Sequence, residues 1–192
     1  MSGFNFFFRL VLIIVISSCS NDNFFNTDIT GAKFGQDFSL ISHKNQKIQL
    51  DDFKGKVLIL FFGFTNCPDI CPTTLIKIKE ILDTLDTNRE DFRVAFVTVD
   101  PLNDTPNVLM KYLINFDENF IGLTGTEPQI EKVVKEFKIF RQKVKIKDSK
   151  IYTFDHTAGF YVFDKNSKIR LYIKQNSKKE EIIKDLLILL RQ

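Results

Sequence analysis

Two cysteines separated by three residues, Cys67-Pro68-Asp69-Ile70-Cys71, are the part of this chain best equipped for chemistry. The unbroken apolar run Val57–Phe64 before them reads as a strand buried on both faces. Pro72, directly after them, opens a helix whose apolar positions Leu75, Ile78, Leu82 and Leu85 recur at three- and four-residue spacing. The pair is therefore expected where a central strand turns into a helix N-terminus. Partial positive charge and unbonded backbone N–H groups at that end favour the thiolate, the form that attacks disulfides and binds soft metals. A third group of matching chemistry, His156, follows Asp155 just ahead of the apolar stretch Ala158–Phe163. Two thiolates and one imidazole form a soft donor set that selects Cu(I), zinc or iron–sulfur. Structural zinc wants four ligands, and apart from the N-terminal Cys19 the chain offers only His43, so copper with three ligands fits the count best. His43, within Ile41–Gln46, is expected to be a solvated turn residue.

The elements that must position these groups follow from the hydrophobic pattern. Phe34–Ile41 and Lys47–Leu50 alternate enough to form a short hairpin, and Asp51–Lys56 is a turn into the central strand. Phe92–Val99 is a second buried strand. Asp100–Thr105 is a loop, and Thr105-Pro106 supplies N-cap and first position of a helix reaching about Phe116. Phe120–Leu123 is a short apolar piece, and Thr126 with Gln129 has capping-box spacing ahead of a helix through about Phe137. Phe140–Ile146 alternates weakly and suggests an irregular strand. Ala158–Phe163 and Ile169–Lys174, joined by Asp164–Lys168, read as a hairpin. Ser177 and Glu180 repeat the capping-box spacing before a last amphipathic helix, Lys178–Leu190. Strand, helix, strand, helix, hairpin and final helix is the thioredoxin-like α/β layout: a mixed central sheet with helices on both faces, here with an N-terminal hairpin extension. In that layout the Asp155-His156 loop lies beside the cysteine-bearing helix N-terminus.

Two departures separate the chain from an ordinary thiol oxidoreductase. Such a protein usually carries C-x-x-C faced by a cis proline. Here the cysteines are one residue further apart, and none of the five prolines, Pro68, Pro72, Pro101, Pro106 and Pro128, precedes the late hairpin. A peroxidase needs an activating arginine beside its cysteine, and none lies near Cys67 or Cys71 in sequence. The net charge of +3 without a concentrated basic tract argues against nucleic acid as a partner. Twenty-one Phe and no Trp point to a core in which Phe has replaced other large apolar residues.

The N-terminus carries a separate signal. Arg9 precedes Leu10–Ile16, and Ser17, Ser18 and Cys19 follow. The apolar core is short of the roughly 20 residues of a membrane span and fits a secretory signal. Ile16-Ser17-Ser18-Cys19 also resembles a bacterial lipobox, in which the cysteine becomes the lipidated first residue; the other reading is an uncleaved anchor. Either tethers an exported domain to a membrane, at the periplasmic face of a bacterial envelope. The expected organisation is thus residues 1–19 as signal or anchor, 20–33 as a flexible tether and 34–192 as one domain.

Four segments carry a family resemblance: FFGFTNCPDICPTTL (Phe61–Leu75), VTVDPLNDTP (Val97–Pro106), GLTGTEPQI (Gly122–Ile130) and DHTAGFYVFD (Asp155–Asp164). In this order they closely resemble the Sco/SenC family of membrane-tethered, thioredoxin-like copper chaperones in cytochrome c oxidase assembly. The resemblance implies Cys67, Cys71 and His156 as ligands of Cu(I) or Cu(II). It also implies delivery of copper to the dinuclear copper A site of oxidase subunit II, or reduction of that site's cysteines, with Cys67 and Cys71 as the redox pair. The implied partners are subunit II, another periplasmic copper chaperone or thioredoxin-like reductase, and the membrane through the N-terminus. As a metallochaperone it is not an enzyme; as a reductase it has oxidoreductase activity. The family often has His before the first cysteine, where this chain has Asn66. Asp69, between the cysteines, is either a weak oxygen ligand or a turn residue. Asp100 and Asp104 match a family loop but also suit helix capping, and Asp155 either orients the imidazole or points away.

Overall fold

The computed structural model describes residues 23–145 and 152–192. The signal segment and Cys19 lie outside the described residues. The strands are β1 (Thr27–Asp28), β2 (Ser39–Ser42), β3 (Lys47–Gln49), β4 (Val57–Gly63), β5 (Phe92–Thr98), β6 (Ile121–Thr124), β7 (Arg141–Lys145), β8 (Tyr152–His156), β9 (Phe160–Phe163) and β10 (Ile169–Ile173). The α-helices are α1 (Ile70–Thr84), α2 (Pro106–Leu113), α3 (Glu127–Glu136) and α4 (Lys179–Arg191). Eight strands form one sheet in the order β1-β10-β9-β4-β5-β6-β2-β3, and β7 pairs with β8 in a second, two-stranded sheet. β4–β5 and β5–β6 run parallel while the other pairings are antiparallel, so the sheet is mixed.

β4 lies at the middle of that sheet with every residue buried, as its unbroken apolar run requires. Its side chains alternate between two cores. Val57, Ile59 and Phe61 join Leu75 and Ile78 of α1, Leu109 and Leu113 of α2 and Leu186 of α4 on one face. Leu58, Leu60 and Phe62 join Ile130 and Val133 of α3 on the other. Much of the second core is aromatic: the Phe137 ring meets those of Phe38, Phe62, Tyr161 and Phe163 with centroids 5.3–6.3 Å apart. The thioredoxin-like expectation of helices on both faces of a mixed sheet therefore holds.

Several elements differ from their sequence expectation. The described part of the expected tether is fastened to the domain: β1 pairs with the edge strand β10. Asp185 of α4, fully buried, accepts bonds from the backbone N–H groups of Phe25 (2.8 Å) and Asn26 (2.9 Å) and from Asn26 Nδ2 (2.8 Å). A carboxylate on an otherwise apolar helix face gave no hint of partners that distant in sequence. The last helix takes Lys178 as its N-cap, with no side-chain cap, in place of the expected Ser177 box. The Thr105 cap with Pro106 and the Thr126–Gln129 box both form as expected. No helix of the described residues is long and apolar enough to cross a membrane.

His43 is the clearest correction. It is buried, 8% exposed, rather than solvated, because the chain leaving β2 passes the start of β6. Its backbone N–H donates to the Gly122 carbonyl (2.7 Å), and its Nδ1 accepts from the Gly122 N–H (2.9 Å). Burial, with the nearby Lys44 charge, holds its pKa below the ordinary imidazole value of 6.5. A depressed imidazole contributes stability that is complete above its unfolded pKa and is lost as the pH falls through the folded one. Thermal unfolding should thus show stability declining from about pH 6.5 downward, by at most about 1.4 kcal/mol per pH unit. The decline should be smaller in His43→Gln; an identical decline in that variant would assign it to other groups.

Candidate metal centre

The cysteine loop is assembled from the carboxyl end of β4 outward. Gly63, the last residue of β4, lies against the Cys71 sulfur: a Cβ built on it falls 2.8 Å from Cys71 Sγ and 2.8 Å from Phe96 Cε2. Only a residue without a side chain leaves room for that thiol. α1 begins at Ile70, two residues before Pro72, so Cys71 sits within its first turn and Cys67 lies in the loop just ahead. Cys71 is fully buried, whereas Cys67 is half-buried. The Cys71 backbone N–H points at Cys67 Sγ (3.4 Å), and the two are thiols, not a disulfide. The Cys71 thiol is pushed strongly up, first by its hydrogen bond to the Cys67 sulfur and then by burial. Of the two, Cys67 is the sulfur an incoming group meets, and the surroundings of Cys71 favour its protonated form.

The loop is braced from below by Asp104, which is fully buried. Its carboxylate accepts from Thr65 N–H (3.0 Å), Thr65 Oγ1 (2.6 Å) and Thr98 Oγ1 (2.6 Å). Burial still holds its pKa above the ordinary carboxylate value, outweighing those three donors. Asp100, also buried, receives bonds from Asn103 Nδ2 (2.8 Å) and Tyr152 Oη (3.0 Å). Asp104 thus holds the cysteine loop while Asp100 reaches toward β8. Asp69 is the N-cap residue of α1, but its side chain caps nothing and lies at the surface.

A groove of about 390 Å³ opens beside Cys67. One wall is Phe64, Cys67, Pro68, Asp69 and Ile70; the other is Phe140 and the segment Thr153–Asp155 with Ala158. His156 directly follows Thr153–Asp155, at the end of β8, where its backbone pairs with that of Arg141. Sequence reading placed Asp155-His156 in a loop; the structure makes them the end of a strand, because the weakly patterned Phe140–Ile146 stretch supplies a partner for it. The His156 side chain is outside what the structure describes. Asp155 is exposed and lines the groove. Phe154 anchors this wall, its ring edge-on to Phe64 at 5.7 Å. Among the described side chains no group of three His, Cys, Asp or Glu surrounds a common point. The two sulfurs are soft donors and suit a soft cation. A larger hollow of about 560 Å³ beside His43, Arg89 and Asp117 is less suited to a ligand. Its Arg89 is already paired with both Asp83 and Asp117.

Gly63, Thr65 and Tyr152 escaped the sequence reading. Gly63 alone left a trace, as the glycine within the apolar run Val57–Phe64; Thr65 and Tyr152 act through partners about 40 to 50 residues away in sequence.

Fold and site together define a thioredoxin-like domain that presents a Cys-x3-Cys pair at a strand-to-helix turn, faced by a histidine-bearing ribbon. The chain belongs to the SCO1/SenC family, whose model matches residues 26–191. A "SCO2-like protein" of Rickettsia felis is 41% identical over 80% of this chain and 76% of its own length. The solved structure of Bradyrhizobium japonicum ScoI with copper bound is 34% identical and covers 82% of this chain and 98% of that one, at a TM-score of 0.73. A third relative, 26% identical with a TM-score of 0.64, covers 85% of this chain and 96% of its own. It is described as showing a disulfide switch in a member of the Sco family of cytochrome c oxidase assembly proteins.

Proposed function

We propose that this protein is a membrane-tethered copper chaperone for the copper A site of cytochrome c oxidase subunit II, holding Cu(I) through Cys67, Cys71 and His156. The observation that carries the reading is the groove: Cys67 on one wall, its sulfur accepting from the backbone N–H of buried Cys71, and on the other wall Thr153–Asp155, the stretch of β8 that leads directly into His156. The donor set fits the cargo, since two thiolates and an imidazole suit Cu(I) better than hard cations. The family relationship and a relative solved with copper support it further. Half-buried Cys67 gives an incoming subunit II thiolate access to the metal, which passes by ligand exchange: a new copper–sulfur bond forms as one to this chain breaks, with no change in oxidation state. The N-terminal segment, through lipid on Cys19 or as an uncleaved anchor, keeps the domain at the periplasmic face of the membrane.

A second reading, reduction of the subunit II cysteines before copper arrives, is favoured by the Cys67–Cys71 contact, which allows the pair to close as a disulfide. In a strain lacking the protein, copper A occupancy of subunit II separates the two. Delivery predicts that added copper restores the site. Failure of copper to rescue, with subunit II thiols found oxidised, would replace delivery by reduction.

A further inference from the structure

The ribbon that carries His156 stands outside the main sheet. β7 and β8 pair only with each other, and a two-stranded ribbon is marginal in water unless something holds it. Whatever holds it decides where the end of β8 sits. Two polar anchors do so, one from each strand. Arg141 of β7, whose side chain is 14% exposed, donates from Nε to the Val99 carbonyl (2.6 Å) and from its terminal guanidinium nitrogen to Glu127 Oε1 (2.6 Å). Its guanidinium also lies over the Phe154 ring, 4.9 Å from the centroid. Tyr152 of β8 donates from Oη to Asp100 Oδ1 (3.0 Å), while Asn103 Nδ2 donates both to Tyr152 Oη (2.5 Å) and to Asp100 Oδ2 (2.8 Å).

Both anchors end on one segment, Val99–Asp104. That same segment holds the cysteine loop through Asp104 and Thr65, two residues ahead of Cys67. Arg141 is also the residue directly opposite His156 across the ribbon. A continuous chain of bonds therefore runs from the cysteine loop through 99–104 to both strands of the histidine ribbon. Arginine suits its place because one planar fork satisfies a carbonyl and a carboxylate together and still stacks on a ring, which an ammonium does not.

We propose that Arg141 and Tyr152 are positioning residues for His156: anchored to Val99 and Asp100, they fix the end of β8 against the cysteine loop and so determine whether His156 completes the metal site. The inference rests on the reading of His156 as third ligand. The test uses the full-length protein and Cu(I) alone, titrated anaerobically against a chelator, with copper–nitrogen scattering read by X-ray absorption. Arg141→Met and Tyr152→Phe should each weaken Cu(I) binding about 10- to 100-fold. Each should also reduce the copper–nitrogen contribution, and neither should weaken binding further once His156→Ala is present. Tyr152→Phe keeps the ring in place, so it carries the test if Arg141→Met does not fold. Equal losses in the presence and absence of His156, or an undiminished copper–nitrogen signal in the folded variants, would overturn the positioning role alone. Unchanged affinity and scattering in His156→Ala itself would overturn the ligand assignment, and the positioning role with it.

Discussion

Cys71→Ser should weaken Cu(I) binding about a thousandfold near pH 7, about 4 kcal/mol, and the gap should widen about tenfold per pH unit between about pH 6 and 8. The loss follows from exchanging a thiolate for a hydroxyl, a hard and neutral donor that soft copper holds poorly. The pH dependence follows from the proton. The Cys71 thiol is pushed strongly up by its hydrogen bond to the Cys67 sulfur and by burial, so it is protonated throughout the neutral range before metal arrives. Binding through Cys71 must expel that proton. Expulsion is easier as protons in solution become scarcer, so wild-type affinity gains a decade per pH unit from this group. The serine variant has no such proton to lose, and the contribution of Cys67, present in both, cancels in the ratio. Anaerobic chelator competition at three pH values checks it. A gap that stays level across that range would mean that Cys71 keeps its proton and is not a ligand.

The same asymmetry bears on how the site works. Cys71 is sealed between Gly63, Phe96 and α1, so exchange with a partner has to begin at half-buried Cys67. This holds whether the incoming thiolate takes a metal or attacks a disulfide. Delivery and reduction therefore make the same demand on the geometry around Cys67, and they diverge at His156, which only the metal reading requires. Phe64, Pro68, Ile70 and Phe140 line the groove beside that point of entry.

What the sequence revealed and what it hid follow one physical division. Val57–Gly63 was legible because a strand buried on both faces has no polar alternative, and Cys67-x3-Cys71 because two thiols at a strand-to-helix turn are rare. Thr105-Pro106 and Thr126–Gln129 were legible because a cap is a local bargain between residues at most three apart. The β7–β8 ribbon was not: Arg141–Lys145 is mostly polar, and its strand character comes from pairing with Tyr152–His156 and docking through Arg141 and Phe154. His43 misled for a related reason. Its neighbours Ser42, Lys44 and Asn45 announce a turn, and the Gly122 backbone that takes it inward is 79 residues on. Asp100 and Asp104 were noticed as a motif, but which segments they join could be learned only from Thr65 and Tyr152.

Gly63→Ala should destabilise the protein by about 1–3 kcal/mol and weaken Cu(I) binding in the same variant. Its backbone conformation is that of an ordinary strand residue pairing with Thr98, so the cost comes from space, not from a strained dihedral angle. The new methyl would meet Cys71 Sγ and Phe96 Cε2 at 2.8 Å each, in a strand whose every residue is buried. Phe96 is fixed by the Phe61 and Tyr112 rings, at 5.8 and 5.9 Å, so the thiol at the start of α1 has to give way first. Moving that sulfur separates it from Cys67, and a metal that needs both loses its better-buried ligand. A double-mutant cycle with Cys71→Ala isolates the clash. With the sulfur removed, alanine at position 63 should cost about half as much or less in thermal or denaturant unfolding, because one of its two collisions is gone. Full additivity of the two substitutions would show that Gly63 serves Phe96 and the strand rather than the thiol.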